Sequence, residues 1–239
     1  MYKCYIFLRS LIANLWFYPM QAICFVLVII VGIFSRKACV ALWDKFLHPI
    51  VWQTMLKLSG IKLVVKGQEY IKDGYIFASK HESALETYAY TAIIPNSVFI
   101  LKKELTYIPL FGWGQAVYGM IPVDRGAGAK AMKSMVTGAK KRAAEGRKII
   151  IFPEGTRCKH GQVKGYKSGI VFLAHELDMP VVPVALNSGL CWAKNAFMIY
   201  PGTVTFEFME PMKLSDYAGK KEFMEALQKR IEDKCAELG

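Results

Sequence analysis

The chain has 239 residues, room for one sizeable domain and an appendage. Lys and Arg outnumber Asp and Glu by 31 to 19, and the formal charge of +12 makes anionic surfaces the natural partners: lipid headgroups, phosphorylated substrates, an acidic carrier protein or nucleic acid. Apolar residues reach 54%, and the six cysteines form no CxxC pair, which argues against a disulfide framework and a cysteine metal site and suits free thiols in a reducing compartment.

No charged residue lies between Arg9 and Arg36. As a helix, Leu11 to Phe34 would extend ~36 Å, enough to cross a hydrocarbon layer. The run is too long for a signal peptide, and no A-x-A-like site precedes "SRKACVALWD". A transmembrane helix and a hairpin or re-entrant anchor both fit. Asn14, Pro19, Gln21 and Gly32 interrupt the run, and Pro19 would kink a helix. A buried core helix fails on length and hydrophobicity, so membrane attachment is expected. Lys3 and Arg9 flank one end and Arg36, Lys37 and Lys45 the other. That slight excess places the C-terminal domain at the inner membrane, facing the cytoplasm.

Residues 38–58 read as a second helix, with Trp43 and Trp52 at a boundary where tryptophans sit at headgroup level. After Gly60 the pattern changes. Short β-branched runs predict strands at "KLVVKG", "GYIFAS", "SVFILK", "KIIIFP", "PVVPVAL" and "TVTFEFME". Between them, helical patterns fall near residues 82–93, 107–117, 127–145, 167–177 and 214–237. The last spaces Phe223, Leu227 and Ile231 four apart on one face. Alternating strands and helices predict an α/β fold with a largely parallel central sheet flanked by helices, preceded by an N-terminal membrane-anchoring helical segment. Residues 1–58 form the membrane-associated region and residues 59–239 the α/β domain.

"SKHESALET" places His81 just after a strand and Glu86 five positions on. Five residues on a helix rotate a side chain by about 140°, so the two can meet only if His81 sits in the turn and Glu86 in the first turns of the helix. A carboxylate on one imidazole nitrogen fixes the tautomer and makes the other a better base. Alone, this spacing would also suit an ordinary loop histidine. "IIIFPEGTR" adds weight, because Glu154, Gly155, Thr156 and Arg157 crowd the end of a buried strand, where open α/β sheets bind ligands. Arg157 offers a forked donor suited to phosphate, and backbone amides around Gly155 could face an anion. "GMIPVDRGAG" supplies Asp124 and Arg125, and "ILKKEL" supplies Lys102 and Lys103, which alone read as solvated. The chain lacks HExxH, a complete P-loop and GxSxG, and no nucleic-acid motif supports reading the charge that way.

The ordered blocks "KHESALET", "LKKEL…IPLFGWG", "GMIPVDRG", "IFPEGTR" and "VVPVALNSG", across roughly residues 60 to 210, resemble the glycerolipid acyltransferase family of bacterial 1-acylglycerol-3-phosphate acyltransferases. That family carries aspartate where this chain has Glu86. The resemblance implies His81 as general base and Glu86 as its orienting partner. It implies Arg157 and Lys102 on the acceptor phosphate with Arg125 as helper, and Glu154, Gly155 and Thr156 shaping the acceptor pocket. The implied reaction moves a fatty acyl group from acyl-CoA or acyl carrier protein to the sn-2 hydroxyl of a lysophospholipid, 1-acylglycerol 3-phosphate, giving phosphatidic acid at a membrane lipid surface. No metal or cofactor is called for, and no nucleic-acid partner. Glycerol 3-phosphate or a lyso-ornithine lipid as acceptor, or a non-enzymatic membrane-binding role, stay open as alternatives.

Overall fold

A computed structural model describes all residues, 1–239. Helix α1 (Tyr2–Phe34) carries through Pro19 as a single 33-residue element. Ile6, Ala13, Phe17, Cys24, Phe25 and Val28 recur at helical spacing on its inner face and are buried against the rest of the chain. Its outer face leaves Ile12, Leu15, Ile23 and Ile30 exposed. Two buried polar positions on α1, Ser10 and Asn14, act as fasteners. Ser10 Oγ accepts from the Ile199 amide at 2.9 Å, and Asn14 Nδ2 donates to the Phe197 carbonyl at 3.2 Å. Arg9 Nε donates to the Leu58 carbonyl at 2.7 Å. The helix therefore lies along the α/β domain over most of its length instead of projecting from it.

The second helical stretch is three pieces: α2 (Arg36–Leu42), a π-helical turn over Trp43–Leu47, and α3 (His48–Ser59). The wider turn carries Asp44, whose carboxylate accepts from the Asn96 amide at 2.7 Å and from the Tyr118 hydroxyl at 2.7 Å.

Seven strands follow: β1 (Ile61–Lys66), β2 (Ile76–Ser79), β3 (Ser97–Lys102), β4 (Ile121–Val123), β5 (Lys148–Ile151), β6 (Val181–Leu186) and β7 (Gly202–Phe208). Their order across the sheet is β1-β7-β6-β2-β5-β3-β4. All pairings are parallel except β6 with β7, so β1 and β7 run against the other five. Helices α4 (Leu85–Ile93), α5 (Phe111–Tyr118), α6 (Ala129–Ala144), α7 (Gly169–Leu177), α8 (Ser188–Cys191) and α9 (Lys220–Glu237) complete the fold. Strand β4 and the four-residue α8 are additions to the expected elements. The predicted helix at 82–93 starts three residues later, at Leu85, which leaves His81 to Ala84 as an irregular turn.

Phe223, Leu227 and Ile231 of α9 are fully buried, each worth about 1.5–3 kcal/mol of removed apolar surface. Gly114 on α5 is there for clearance: a Cβ would sit 2.5 Å from Phe25 Cδ1 on α1. Gly32 on α1 meets Val117 the same way, at 2.8 Å. Both explain why the apolar helices carry glycines despite their helix cost of about 1 kcal/mol.

Candidate active site

Five segments carrying the candidate residues leave the same edge of the sheet. His81 follows β2, Lys102 ends β3, Arg125 follows β4, residues 152–157 follow β5 and Ser188 follows β6. Because these five strands are mutually parallel, their carboxyl ends converge, which is where open α/β sheets form their binding crevice.

The His81–Glu86 pair is closed. Nδ1 lies 2.9 Å from Glu86 Oε1, and the carboxylate is wholly buried while the imidazole is 14% exposed. The late start of α4 makes this possible. Glu86 stands in its first turn and folds back over the preceding residues, where Oε1 accepts from the Glu82 and Ser83 amides at 2.6 and 2.8 Å. Those donors belong to the irregular turn that leads into α4, and a carboxylate in the first turn also suits the positive end of the helix. The longer glutamate thus reaches both the turn and the imidazole. A carboxylate facing Nδ1 holds a proton there, which in the neutral imidazole leaves the lone pair on Nε2. The ring stacks on Phe152 at 3.9 Å and 16° between planes, and Phe152 stacks in turn on Phe99. Such a slab leaves the imidazole few alternative rotamers.

His81 opens onto a cavity of about 300 Å³. One end holds Lys102, Arg125, Gly155, Thr156 and Arg157; the other is apolar and reaches Phe25, Val28 and Trp43 of the N-terminal helices. The cations differ in how committed they are. Lys102 pairs with Glu104 at 2.8 Å, with both side chains about half exposed. Arg125 donates to the Gly155 carbonyl. The Arg157 guanidinium makes no hydrogen bond or ion pair within the chain, so it is the cation ready for an anion. Gly155 adopts φ +70°, a left-handed conformation natural to glycine, and a Cβ there would meet the Lys167 side chain at 3.0 Å. Lys167 is therefore a further cation beside the site.

One expectation changes. Glu154 does not line the cavity: its carboxylate is fully buried, with Oε2 accepting from the His81 amide at 2.9 Å and Oε1 lying 3.0 Å from Lys80 Nζ. The amides of Gly155 and of the histidine turn are also taken. Gly155 donates to the Phe152 carbonyl, and Glu82 and Ser83 donate to Glu86. The Thr156 and Arg157 amides have no acceptor within the chain, and both residues line the cavity. Ser188 is fully buried, and its hydroxyl donates to Glu86 Oε2. It lies in the block "VVPVALNSG", to which sequence alone assigns no chemistry.

A buried carboxylate paired with a histidine at the strand ends of a largely parallel sheet, with Arg157 uncommitted beside them, marks an α/β domain with its site in the strand-end crevice. Residues 62–187, more than half of the chain, match the family model described as Acyltransferase, and the chain belongs to that family. A 1-acyl-sn-glycerol-3-phosphate acyltransferase of Pseudomonas aeruginosa is 34% identical over 163 residues, which is 68% of this chain and 62% of that protein. One from Cocos nucifera is 28% identical over 174 residues, covering 72% of this chain and 56% of its own length. The chain therefore spans about three fifths of the length of these curated relatives. The crystal structure of a 1-acyl-sn-glycerophosphate (LPA) acyltransferase from Thermotoga maritima is similar in fold, with a TM-score of 0.79 at 22% identity, covering 97% of this chain and 96% of that one.

Proposed function

We propose that the chain transfers a fatty acyl group from an acyl-CoA or acyl carrier protein thioester to the sn-2 hydroxyl of 1-acylglycerol 3-phosphate, yielding phosphatidic acid. The observation that carries this reading is the closed His81–Glu86 pair on a cavity that joins an uncommitted Arg157 to an apolar end. The printed names of the curated relatives support the same acceptor.

In the proposed reaction Arg157, with Lys102 and Arg125, holds the acceptor phosphate, while the apolar end receives an acyl chain. Fixing the hydroxyl near His81 turns an encounter into a near-unimolecular attack. An alcohol scarcely ionises at neutral pH, so Nε2 takes its proton as the oxygen adds to the thioester carbonyl. Glu86 stabilises the imidazolium that forms. The resulting oxyanion accepts from the free Thr156 and Arg157 amides, each worth about 2.7–4 kcal/mol by comparison with known donors. Collapse breaks the C–S bond, and the departing sulfur, with a thiol pKa near ~8.5, takes the proton back from His81.

The exposed apolar face of α1, 33 residues long, supports attachment to the membrane. Because the inner face of that helix is fastened to the domain, we infer that α1 and the domain enter one leaflet together, from the cytoplasmic side of the inner membrane. The apolar end of the cavity opens against α1, which suits a substrate drawn from lipid.

Purified protein, labelled acyl-CoA or acyl carrier protein, and a panel of lysolipids with and without phosphate test this reading. Phosphatidic acid formed from 1-acylglycerol 3-phosphate is expected. Preference for glycerol 3-phosphate or for a phosphate-free acceptor would replace the proposed substrate, and no transfer with any acceptor would leave a membrane-binding role.

A further inference from the structure

Lys80 precedes the base, and its ammonium is among the most deeply buried charges in the chain, 1% exposed. Lysines are almost never fully buried unless paired, and this one is paired on every side. Nζ lies 3.0 Å from Glu154 Oε1, 2.9 and 2.7 Å from the two Glu232 oxygens of α9, and 2.9 Å from the Gln162 carbonyl. Glu232 and Gln162 take its hydrogen bonds, and Glu154 Oε1 is held as an ion partner. Burial works against its charge, but Glu154 and Glu232 outweigh it and lift its pKa above the usual lysine range. Glu154 uses its other oxygen on the His81 amide. A continuous chain of contacts thus runs from α9 through the ammonium and Glu154 to the backbone of the base.

The same turn is pinned at each of its residues. The His81 carbonyl accepts from the Cys158 amide at 2.7 Å. The Glu82 carboxylate accepts from the Gly189 amide at 2.9 Å and lies 3.2 Å from His160 Nδ1. Lys80 is the only cation pairing with Glu154 or with Glu232, to which the Tyr166 hydroxyl adds a hydrogen bond at 3.2 Å. Without it two carboxylates would face each other in a water-poor space, and an unpaired buried charge relieves itself by moving or taking a proton. Either response disturbs the oxygen that holds the His81 amide.

We propose that Lys80 is a positioning residue for the acyl transfer: clamped by Glu232, it holds Glu154 so that the carboxylate fixes the backbone of His81 with its ring closed on Glu86. The proposal rests on His81 being the base. It assigns Lys80 no contact with substrate, so its loss acts on turnover and not on substrate affinity. A misplacement of about 1 Å is enough for a loss of the order of 10²-fold.

A double-variant cycle on the full chain tests it, with kcat and both KM values measured for each protein. Lys80→Met is expected to lower kcat about 100-fold, with the KM of acceptor and donor each within about twofold. Adding Glu154→Gln removes the stranded charge while its amide oxygen still accepts from His81. The double variant is therefore expected to regain at least about tenfold and to match Glu154→Gln alone. A Lys80→Met protein with kcat within about twofold of the parent would overturn the proposal, as would a double variant slower than Glu154→Gln by the full single-variant loss. Should Lys80→Met fail to fold, the comparison of the double variant with Glu154→Gln decides alone. His81→Ala run alongside separates the two readings. Near-normal turnover there removes the base itself, whereas loss there beside an active Lys80→Met removes only the positioning role.

Discussion

The Ser188 hydroxyl donates to Glu86 Oε2 over 2.8 Å, joining residues 102 positions apart in the chain. It closes the far side of a carboxylate whose near side is taken by His81 and two turn amides. A hydrogen bond to a charged acceptor contributes about 1.5 kcal/mol at the low end, close to tenfold in rate if it is felt wholly at the base. Ser188→Ala should lower kcat by up to about tenfold with little change in either KM, and Ser188→Thr should retain more activity. Steady-state kinetics on the two variants checks this; a change confined to KM would detach Ser188 from the base.

The acid itself should be less replaceable. Glu86→Gln turns an NH₂ toward donors that need an acceptor and removes the charge that stabilises the imidazolium. A loss of about 10²–10⁴-fold in kcat is expected, the range that general-base assistance supplies. Glu86→Asp keeps the charge and withdraws it by one methylene, so a smaller loss is expected. Rates in the reverse order would show that the carboxylate does not orient His81.

The periodic parts of this fold are legible in the residues themselves. Four-residue spacing of Phe223, Leu227 and Ile231 foretells the buried face of α9, and the β-branched runs foretell six of the strands. Strand β4 is not legible because three residues centred on Pro122 are too few to show alternation. The His81–Glu86 pair can be read because its geometry is local, set by a turn and the first helical residues. Glu154 defeats the same approach. Whether a carboxylate after a strand faces the crevice or turns inward depends on Lys80 and Glu232, the latter far along the chain. Ser188 is hidden for the same reason: its partner is fixed by the adjacency of β6 and β2, not by any spacing.

Arg157 should govern the acceptor alone. Its guanidinium is uncommitted, and a pair of charge-assisted bonds to phosphate is worth about 1.5–3 kcal/mol per contact. Arg157→Ala is expected to raise the acceptor KM by about 10- to 100-fold while the thioester KM stays nearly constant. Lys102 offers a contrast, because Glu104 competes for it. Glu104→Gln should release that lysine and lower the acceptor KM modestly. Equal shifts in both substrates' KM for Arg157→Ala would place the arginine on the donor instead.

Glu154 imprints a pH dependence on stability. Burial pushes its carboxyl up to about 7 from an ordinary 4.5, even though Lys80 opposes the rise. The folded chain therefore binds this proton more tightly than the unfolded one, and the associated stability is fully present at acid pH. It is lost progressively as pH rises from about 4.5 through about 7. Glu154→Gln removes the titration, so its thermal midpoint in detergent should vary less with pH across that window than the parent's. Parallel curves for the two proteins would mean that Glu154 is not protonated below neutrality in the folded state.

The N-terminal helix separates attachment from folding by its two faces. Deleting it would strip Phe17, Phe25 and Val28 from the core and uncover the apolar surfaces they cover, so loss of membrane binding after deletion would be ambiguous. Leu15, Ile23 and Ile30 point outward and make the cleaner test. Each removes about 1.5 kcal/mol of favourable transfer when replaced by a polar residue, so the triple Gln variant should bind vesicles roughly 10³-fold more weakly. Its fold should persist, because no buried contact is touched. Activity on micellar substrate should then be kept while activity on substrate embedded in vesicles falls. If vesicle binding survives the triple change, the lipid-facing surface lies elsewhere, and the exposed Phe46 of the π-turn and Ile50 of α3 are the next residues to replace.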